Sequence, residues 1–192
     1  MQKAKKFSIL IVTCLILIAV TALLLWNIQS TSRSTDQVPT VVSAEDAGVV
    51  FLDPFLHLQA PLPESFELGA SSKKEEWDVS TLVPVGNVDR LPTYNYIIEY
   101  RTRKKQRISD ISVLLQSLYG TPFSISGRIT TLEIKQNLYT SSGSGEQYQA
   151  VHFIQQGQDI FIVAKAKDAN IQQQYDQAFT DFVQSLAKVK KL

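Results

Sequence analysis

The sequence predicts an α+β fold: a single N-terminal transmembrane helix followed by one extracytoplasmic domain in which helices pack against an antiparallel sheet. Three observations support this fold class. Residues 7–26 form a mostly apolar run without a charged residue. Several later segments alternate apolar and polar residues with the period of strands, and the last segment has the period of an amphipathic helix. Strands and helices segregated along a chain are typical of α+β folds.

The apolar run at residues 7–26 is long enough to cross a bilayer. A helix of this length, at about 1.5 Å per residue, spans about 30 Å of hydrocarbon. Lysines lie in residues 1–6, and uncharged polar residues follow the run, so the positive-inside rule predicts a cytoplasmic N-terminus. The alternative is a cleavable signal peptide, whose apolar core would be shorter and would end in small residues. We therefore expect a single-pass cell-membrane protein that contacts lipid through this helix.

Residues 27–47 are rich in Ser, Thr and Asp and contain few apolar side chains. Such a segment cannot bury enough apolar surface to fold, so we expect a flexible linker. The extracytoplasmic domain is then residues 48–192, which is enough chain for one hydrophobic core. The only cysteine, Cys14, lies in the apolar run, so the sequence predicts a domain without a disulfide bond.

Alternating patterns rich in aromatic and β-branched residues predict strands through most of the domain. The segments with this character are residues 55–60, 66–68, 77–85, 94–102, 128–140, 147–155 and 159–167. Gln156-Gly157 separates the last two, and glycine there can take the positive φ that a tight hairpin requires. We expect the last three segments to form an antiparallel meander.

A middle helix is predicted for residues 111–119. Ser109 has the side chain of an N-cap residue, and the apolar residues that follow have helical spacing. Gly120 provides the stop signal, because glycine readily adopts the left-handed conformation that ends many helices.

The C-terminal segment at residues 171–189 has the clearest helical period of the domain. Apolar residues recur every three or four positions, which is typical of a helix with one buried face. Asp168 or Asn170 is expected to cap its start. Phe179 and Phe182 lie on the apolar stripe, so we predict that both pack on the sheet.

The order of these elements resembles the PsbP-like family, extracytoplasmic domains related to an extrinsic subunit of photosystem II. An F-x-x-x-x-x-P opening lies at residues 55–61 and is followed by Phe66, whereas Leu62-Pro63 replaces the family's Gly-Trp. The C-terminal part of the resemblance rests on Phe179, Phe182, Val183, Gln184, Ser185 and Leu186. The resemblance implies an α/β/α sandwich over about residues 48–190, and it carries no ligand residue over to this chain.

The domain contains two histidines, His57 and His152. A zinc site needs at least three converging His, Cys, Asp or Glu residues. The domain has no cysteine and no His-x-His or HExxH spacing, so we predict no metal and no cofactor. His152 lies between Val151 and Phe153 in a predicted strand, where we interpret it as a packed histidine. The alternative is a metal-dependent enzyme or a hydrolase that uses His152 or His57.

One cluster of basic residues is the candidate site for ligand binding. The segment RTRKKQR contributes Arg101, Arg103, Lys104, Lys105 and Arg107. If these side chains face outward, they can contact anionic lipid head groups, cell-wall polyanions or an acidic envelope protein. The alternative is a solvated loop. Acidic residues slightly outnumber basic residues after residue 26, so we predict no nucleic-acid partner.

The sequence contains no catalytic motif. It therefore predicts a membrane-anchored binding or assembly module of a bacterial envelope rather than an enzyme. The absence of an Asn-x-Ser/Thr glycosylation site is consistent with a bacterial source.

Overall fold

The computed structural model describes residues 39–44, 48–74, 76–85, 95–104, 108, 110–143 and 145–189. They belong to one compact unit that runs from Val38 to Leu192. Residues 7–26, predicted to form the membrane helix, lie outside the described residues. Within the described residues, no helix has the length and apolar character needed to cross a membrane.

Eleven strands and two helices make up the described part of the chain. In chain order these are β1 (Thr40–Ala44), β2 (Gly48–Asp53), β3 (Leu58–Pro61), β4 (Phe66–Lys74), β5 (Trp77–Pro84), β6 (Tyr96–Lys104), α1 (Ile111–Tyr119), β7 (Ser124–Thr131), β8 (Ile134–Gly143), β9 (Glu146–Gln155), β10 (Gln158–Ala166), α2 (Ala169–Ser185) and β11 (Ala187–Lys188).

Seven of the strands form one antiparallel sheet with the order β4-β5-β6-β10-β9-β8-β7. β10 is paired along its whole length with β6 on one side and β9 on the other, and most of its side chains are buried. The hairpin between β9 and β10 turns at Gln156 and Gly157, which have φ values of 49° and 70°. The predicted hairpin at this dipeptide is confirmed.

The other four strands form a smaller antiparallel sheet with the order β1-β2-β3-β11. β1 lies within residues 27–47, which the sequence predicts to be a flexible linker. Its few apolar residues do not predict a strand, but the backbone of Thr40–Ala44 pairs fully with β2. β11 follows α2 and pairs with β3, so the C-terminal part of the chain forms one edge strand of this sheet.

The large sheet buries a separate hydrophobic core on each face. On one face, Phe179, Phe182 and Val183 of α2 pack against the large sheet together with Phe51 of the small sheet. On the other face, Leu115 of α1 packs with aromatic and aliphatic residues of the central strands. The predicted burial of Phe179 and Phe182 is confirmed, because each is 1% exposed.

The predicted α+β architecture of the domain, an α/β/α sandwich, is wrong. The protein is mostly β, with two antiparallel sheets and two helices in its described residues. One reason is the turn at Leu132 and Glu133, which have φ values of 50° and 66°. This turn divides the predicted strand 128–140 into β7 and β8. Neither residue is Gly, Asn or Asp, the usual residues at such a turn, so the sequence gives no sign of the hairpin.

The caps explain where the helices begin and end. α1 is capped by Asp110, whose side chain accepts a hydrogen bond from the Ser112 amide, and Gly120 ends it with φ 71°. α2 is capped by Asp168, one of the two predicted candidates. α2 ends at Ser185 rather than near residue 189, because Ala187 and Lys188 pair with β3.

Candidate functional site

An open cavity of about 450 Å³ lies at the edge of the large sheet, where β7 begins. Its walls come from the segment before β7, from β7, β8 and β9, and from the first turns of α2. The lining residues are Pro122, Phe123, Ser124, Thr140, Ser141, Gln147, Tyr148 and Gln172. None of these side chains carries a formal charge at neutral pH, so the cavity wall is polar but uncharged.

The start of β7 determines where the cavity opens. β7 pairs with β8 only from Ser124, opposite Thr140, whereas β8 continues beyond this point and Ser141 pairs with Tyr148 of β9. The hydroxyl groups of Thr121 and Ser141 are 2.8 Å apart in a hydrogen bond. This bond holds the segment before β7 against β8 and leaves an opening beside it.

Aromatic rings pack behind this segment. Phe123 and Tyr148 have ring centroids 5.8 Å apart at an interplanar angle of 61°, and Tyr119 at the end of α1 contacts both rings. The Tyr148 hydroxyl donates a hydrogen bond to Glu146, and Lys165 lies 2.8 Å from the other oxygen of that carboxylate. These two hydrogen bonds lower the pKa of Glu146.

Beyond the cavity, the face of the large sheet under α1 carries a buried ion pair. Arg101 Nε lies 2.7 Å from Glu99 Oε2, and the Tyr119 hydroxyl donates to the same oxygen at 2.6 Å. The Arg101 guanidinium lies over the Tyr119 ring, 5.3 Å from its centroid. Burial, reinforced by Glu99, raises the pKa of the Tyr119 hydroxyl well above its usual value. This tyrosine therefore stays a protonated hydrogen-bond donor.

A second charged cluster lies further along the same face. His152 Nε2 and Asp159 Oδ1 are 3.0 Å apart in a hydrogen bond. Arg103 Nε lies 3.7 Å from Asp159 Oδ2, and Arg103 Nη1 lies 3.7 Å from Glu76 Oε2. The Arg103 guanidinium stacks on Trp77, 4.4 Å from the ring centroid.

The surroundings of His152 favour its neutral form. Burial lowers its pKa below the ordinary value of 6.5, and Arg103 contributes in the same direction, although the hydrogen bond with Asp159 opposes them. Its ring lies against Phe161, with centroids 4.4 Å apart. The interpretation of His152 as a packed strand histidine agrees with this environment, and the neutral ring also has the protonation state of a general base.

The basic cluster predicted from the sequence does not form one outward-facing surface. Arg101 and Arg103 are buried in β6 beside their acidic partners, whereas Lys104 is exposed. Lys105 and Arg107 lie outside the described residues. β6 is an interior strand of the large sheet. Tyr119 of α1 covers Arg101, and Trp77 of β5 stacks on Arg103. An anionic partner cannot reach them without displacing their acidic partners.

His57, the other candidate acid–base residue, is exposed in the turn after β2. The nearby Asp53 carboxylate accepts hydrogen bonds from the Phe55 and Leu56 amides and from the Tyr100 hydroxyl. These bonds give Asp53 a structural role in the turn. No group of three or more His, Cys, Asp or Glu residues that could hold a metal ion occurs in the part of the chain that the structure describes.

Sequence reasoning missed the cavity. Most of its wall residues are Ser, Thr and Gln, none of the wall residues belongs to a recognisable motif, and the fold brings them together from distant segments. Comparison with known protein families finds no family model that matches the chain. No characterised protein matches its sequence either, so the PsbP-like resemblance stays a prediction and the functional argument rests on the residues described above.

Proposed function

We propose that this chain is a non-enzymatic binding or assembly module of a bacterial envelope, and that it binds a small polar ligand in the cavity beside β7. The cavity is the observation that carries the proposal. Its volume of about 450 Å³ lies within the range of about 300–1,000 Å³ that is typical of small-molecule sites. Such sites combine hydrophobic and aromatic side chains with a few polar groups, and this wall contains both kinds but is richer in hydroxyl and amide groups, which favours a polar ligand.

The charged groups near the cavity support binding rather than catalysis. Glu146 is engaged by Tyr148 and Lys165, and Glu99 is engaged by Arg101 and Tyr119. A general acid or base must reach the proton it transfers. Because these carboxylates already have partners of their own, the cavity wall offers orienting hydrogen bonds and no free ionisable group.

The location of this module stays a sequence prediction. Attachment to the cell membrane, with the domain outside the cytoplasm, rests on residues 7–26, which lie outside the described residues. The predicted partners, an envelope protein or an anionic cell-wall or lipid component, likewise belong to the proposal. With Arg101 and Arg103 buried, an anionic partner would need other contacts than the basic cluster.

Ligand-observed NMR with the full-length protein and a mixture of small polar compounds tests the proposal. Ser124→Phe places a bulky side chain in the cavity wall, and Ser126→Phe is the matched control because it is exposed on the same strand but does not line the cavity. We expect at least one compound to bind to the wild type and to the control but not to Ser124→Phe. Binding that survives Ser124→Phe, or no binding at all, would contradict the proposal.

A hydrolase centred on His152 is the second candidate, because the hydrogen bond between His152 and Asp159 resembles the orientation of a catalytic base by a carboxylate. Hydrolysis of p-nitrophenyl acetate by the full-length protein separates the two candidates. His152→Gln should abolish turnover if this candidate is correct, while His57→Gln, which changes the exposed histidine, should not. If turnover is absent, or if the two variants turn over substrate equally, the hydrolase candidate is rejected and the binding module is retained.

A further inference from the structure

We infer that the cavity beside β7 takes a neutral, hydroxyl-rich ligand, a monosaccharide or disaccharide. This inference rests on the proposed function, since it names the ligand class of the same cavity. It is drawn from the chemistry of the wall, namely its lack of charge, its hydrogen-bonding groups and its aromatic part.

The uncharged wall argues against an ionic ligand. A buried charge needs a partner of opposite sign or several hydrogen bonds to its charged form. None of the eight lining residues is Asp, Glu, Lys, Arg or His. The nearest ion pair, Glu146 with Lys165, is already internally neutralised. An anionic or cationic ligand would therefore lose its hydration without gaining a counter-charge.

The polar groups of the wall match hydroxyl groups. Ser and Thr hydroxyls both donate and accept hydrogen bonds, and the Gln amide carries a donor and an acceptor on one end. A sugar hydroxyl also donates and accepts, so it can pair with either type. Four lining side chains besides Ser141, whose hydroxyl already pairs with Thr121, have this dual character: Ser124, Thr140, Gln147 and Gln172.

The aromatic part of the wall adds a small apolar area to its hydrogen-bonding groups. The C–H groups of a pyranose form an apolar surface that packs on aromatic rings. Phe123 and Tyr148 line the cavity but are only 8% and 4% exposed, so they offer a small apolar area rather than an open ring face. The Tyr148 hydroxyl is already directed to Glu146. Their rings pack edge to face, so their positions are fixed in the core before a ligand arrives, which limits the entropy lost on binding.

Chemical-shift mapping on the full-length, ¹⁵N-labelled protein tests the ligand class. The probes are glucose and N-acetylglucosamine as neutral sugars, glucuronate as a charged sugar of the same ring size, and triglycine as a neutral amide-rich compound. We expect the neutral sugars to shift the amide signals of Ser124, Ser141 and Gln147, and glucuronate to bind more weakly than glucose.

A pair of glutamines on α2 provides the matched variants. Gln172 lines the cavity, whereas Gln174 is exposed on the same helix and does not. Loss of one hydrogen bond predicts that Gln172→Ala weakens the affinity for the neutral sugar about two- to tenfold. Gln174→Ala should leave that affinity unchanged.

The outcomes separate the ligand class from the proposed function. Signals of the cavity residues that respond to triglycine or glucuronate but not to neutral sugars would overturn the saccharide inference and leave a binding module. The same holds if the two glutamine variants weaken sugar binding equally, because the sugar would then bind elsewhere. If none of the probes, and no compound of the wider mixture, shifts the cavity signals, both the inference and the proposed function fail.

Discussion

Phe182 provides a direct test of how α2 holds the two sheets together. Its side chain is 1% exposed, and its ring meets Phe51 of β2 edge to face, with centroids 5.5 Å apart. Phe182→Ala would remove this contact and leave a cavity between α2 and the small sheet. For a buried phenylalanine the lost transfer energy and the cavity together cost about 3–5 kcal/mol. That is a large share of the ~5–15 kcal/mol that stabilises a typical domain.

Thermal unfolding followed by circular dichroism measures the effect. A domain of this size shifts by about 2–4 °C per kcal/mol, so we expect the melting temperature of Phe182→Ala to fall by about 6–20 °C. Gln184→Ala is the matched control, because Gln184 is exposed on the same helix and surface changes usually stay within about 0.5 kcal/mol. Equal melting temperatures for Phe182→Ala and the wild type would refute the packing of α2 on the small sheet.

Two further predictions follow from the large sheet. Because burial lowers the pKa of His152 below 6.5, the unfolded state binds the proton more readily than the folded state, and stability should fall as the pH is lowered from about 7 to 5. In urea unfolding, His152→Gln should reduce this slope, and an unchanged slope would argue against a buried neutral histidine. Gly69→Ala should destabilise by about 1–3 kcal/mol because its Cβ would lie 2.8 Å from Thr81 Oγ1. Gly127→Ala meets nothing within 4 Å and should be neutral or slightly stabilising, so equal effects of the two changes would contradict the close approach at Gly69.

Local signals predicted the elements whose structure depends on neighbouring residues. The hairpin at Gln156-Gly157 has a glycine at φ 70°, and the start of α2 has the Asp168 side chain accepting a hydrogen bond from the Ile171 amide. The Phe179 and Phe182 stripe of α2 also follows from period alone. At these positions the local sequence preference and the final fold agree, so the sequence pattern was enough to predict the hairpin, the helix cap and the buried face of α2.

Tertiary structure decided the features that the sequence did not predict. β1 and β2 are short strands that gain their stability from pairing with each other, which no local pattern can report. The burial of Arg101 depends on Tyr119 of α1, which follows β6 in the chain, and the burial of Arg103 depends on Trp77 of β5. A run of basic residues is usually a solvated surface. Their acidic partners make this burial tolerable: Glu99 lies two residues from Arg101 on the same face of β6, and strand register places Asp159 opposite Arg103.

The buried charges and the uncharged cavity are connected through the end of α1. A buried ion pair adds little net stability compared with well-packed apolar residues, because desolvation offsets the attraction. The ion pair has a stronger effect on geometry. Arg101 holds the Glu99 carboxylate, which accepts a hydrogen bond from the Tyr119 hydroxyl. This bond fixes the position of the Tyr119 side chain at the end of α1.

Gly120 then turns the chain with φ 71°, and the Thr121–Ser141 hydrogen bond directs the following segment along β8. This segment brings Phe123 into the cavity wall beside Tyr148. The ion pair of Glu99 and Arg101 therefore helps to position the cavity wall, although neither residue lines the cavity. A change at Glu99 should alter ligand binding from outside the cavity wall.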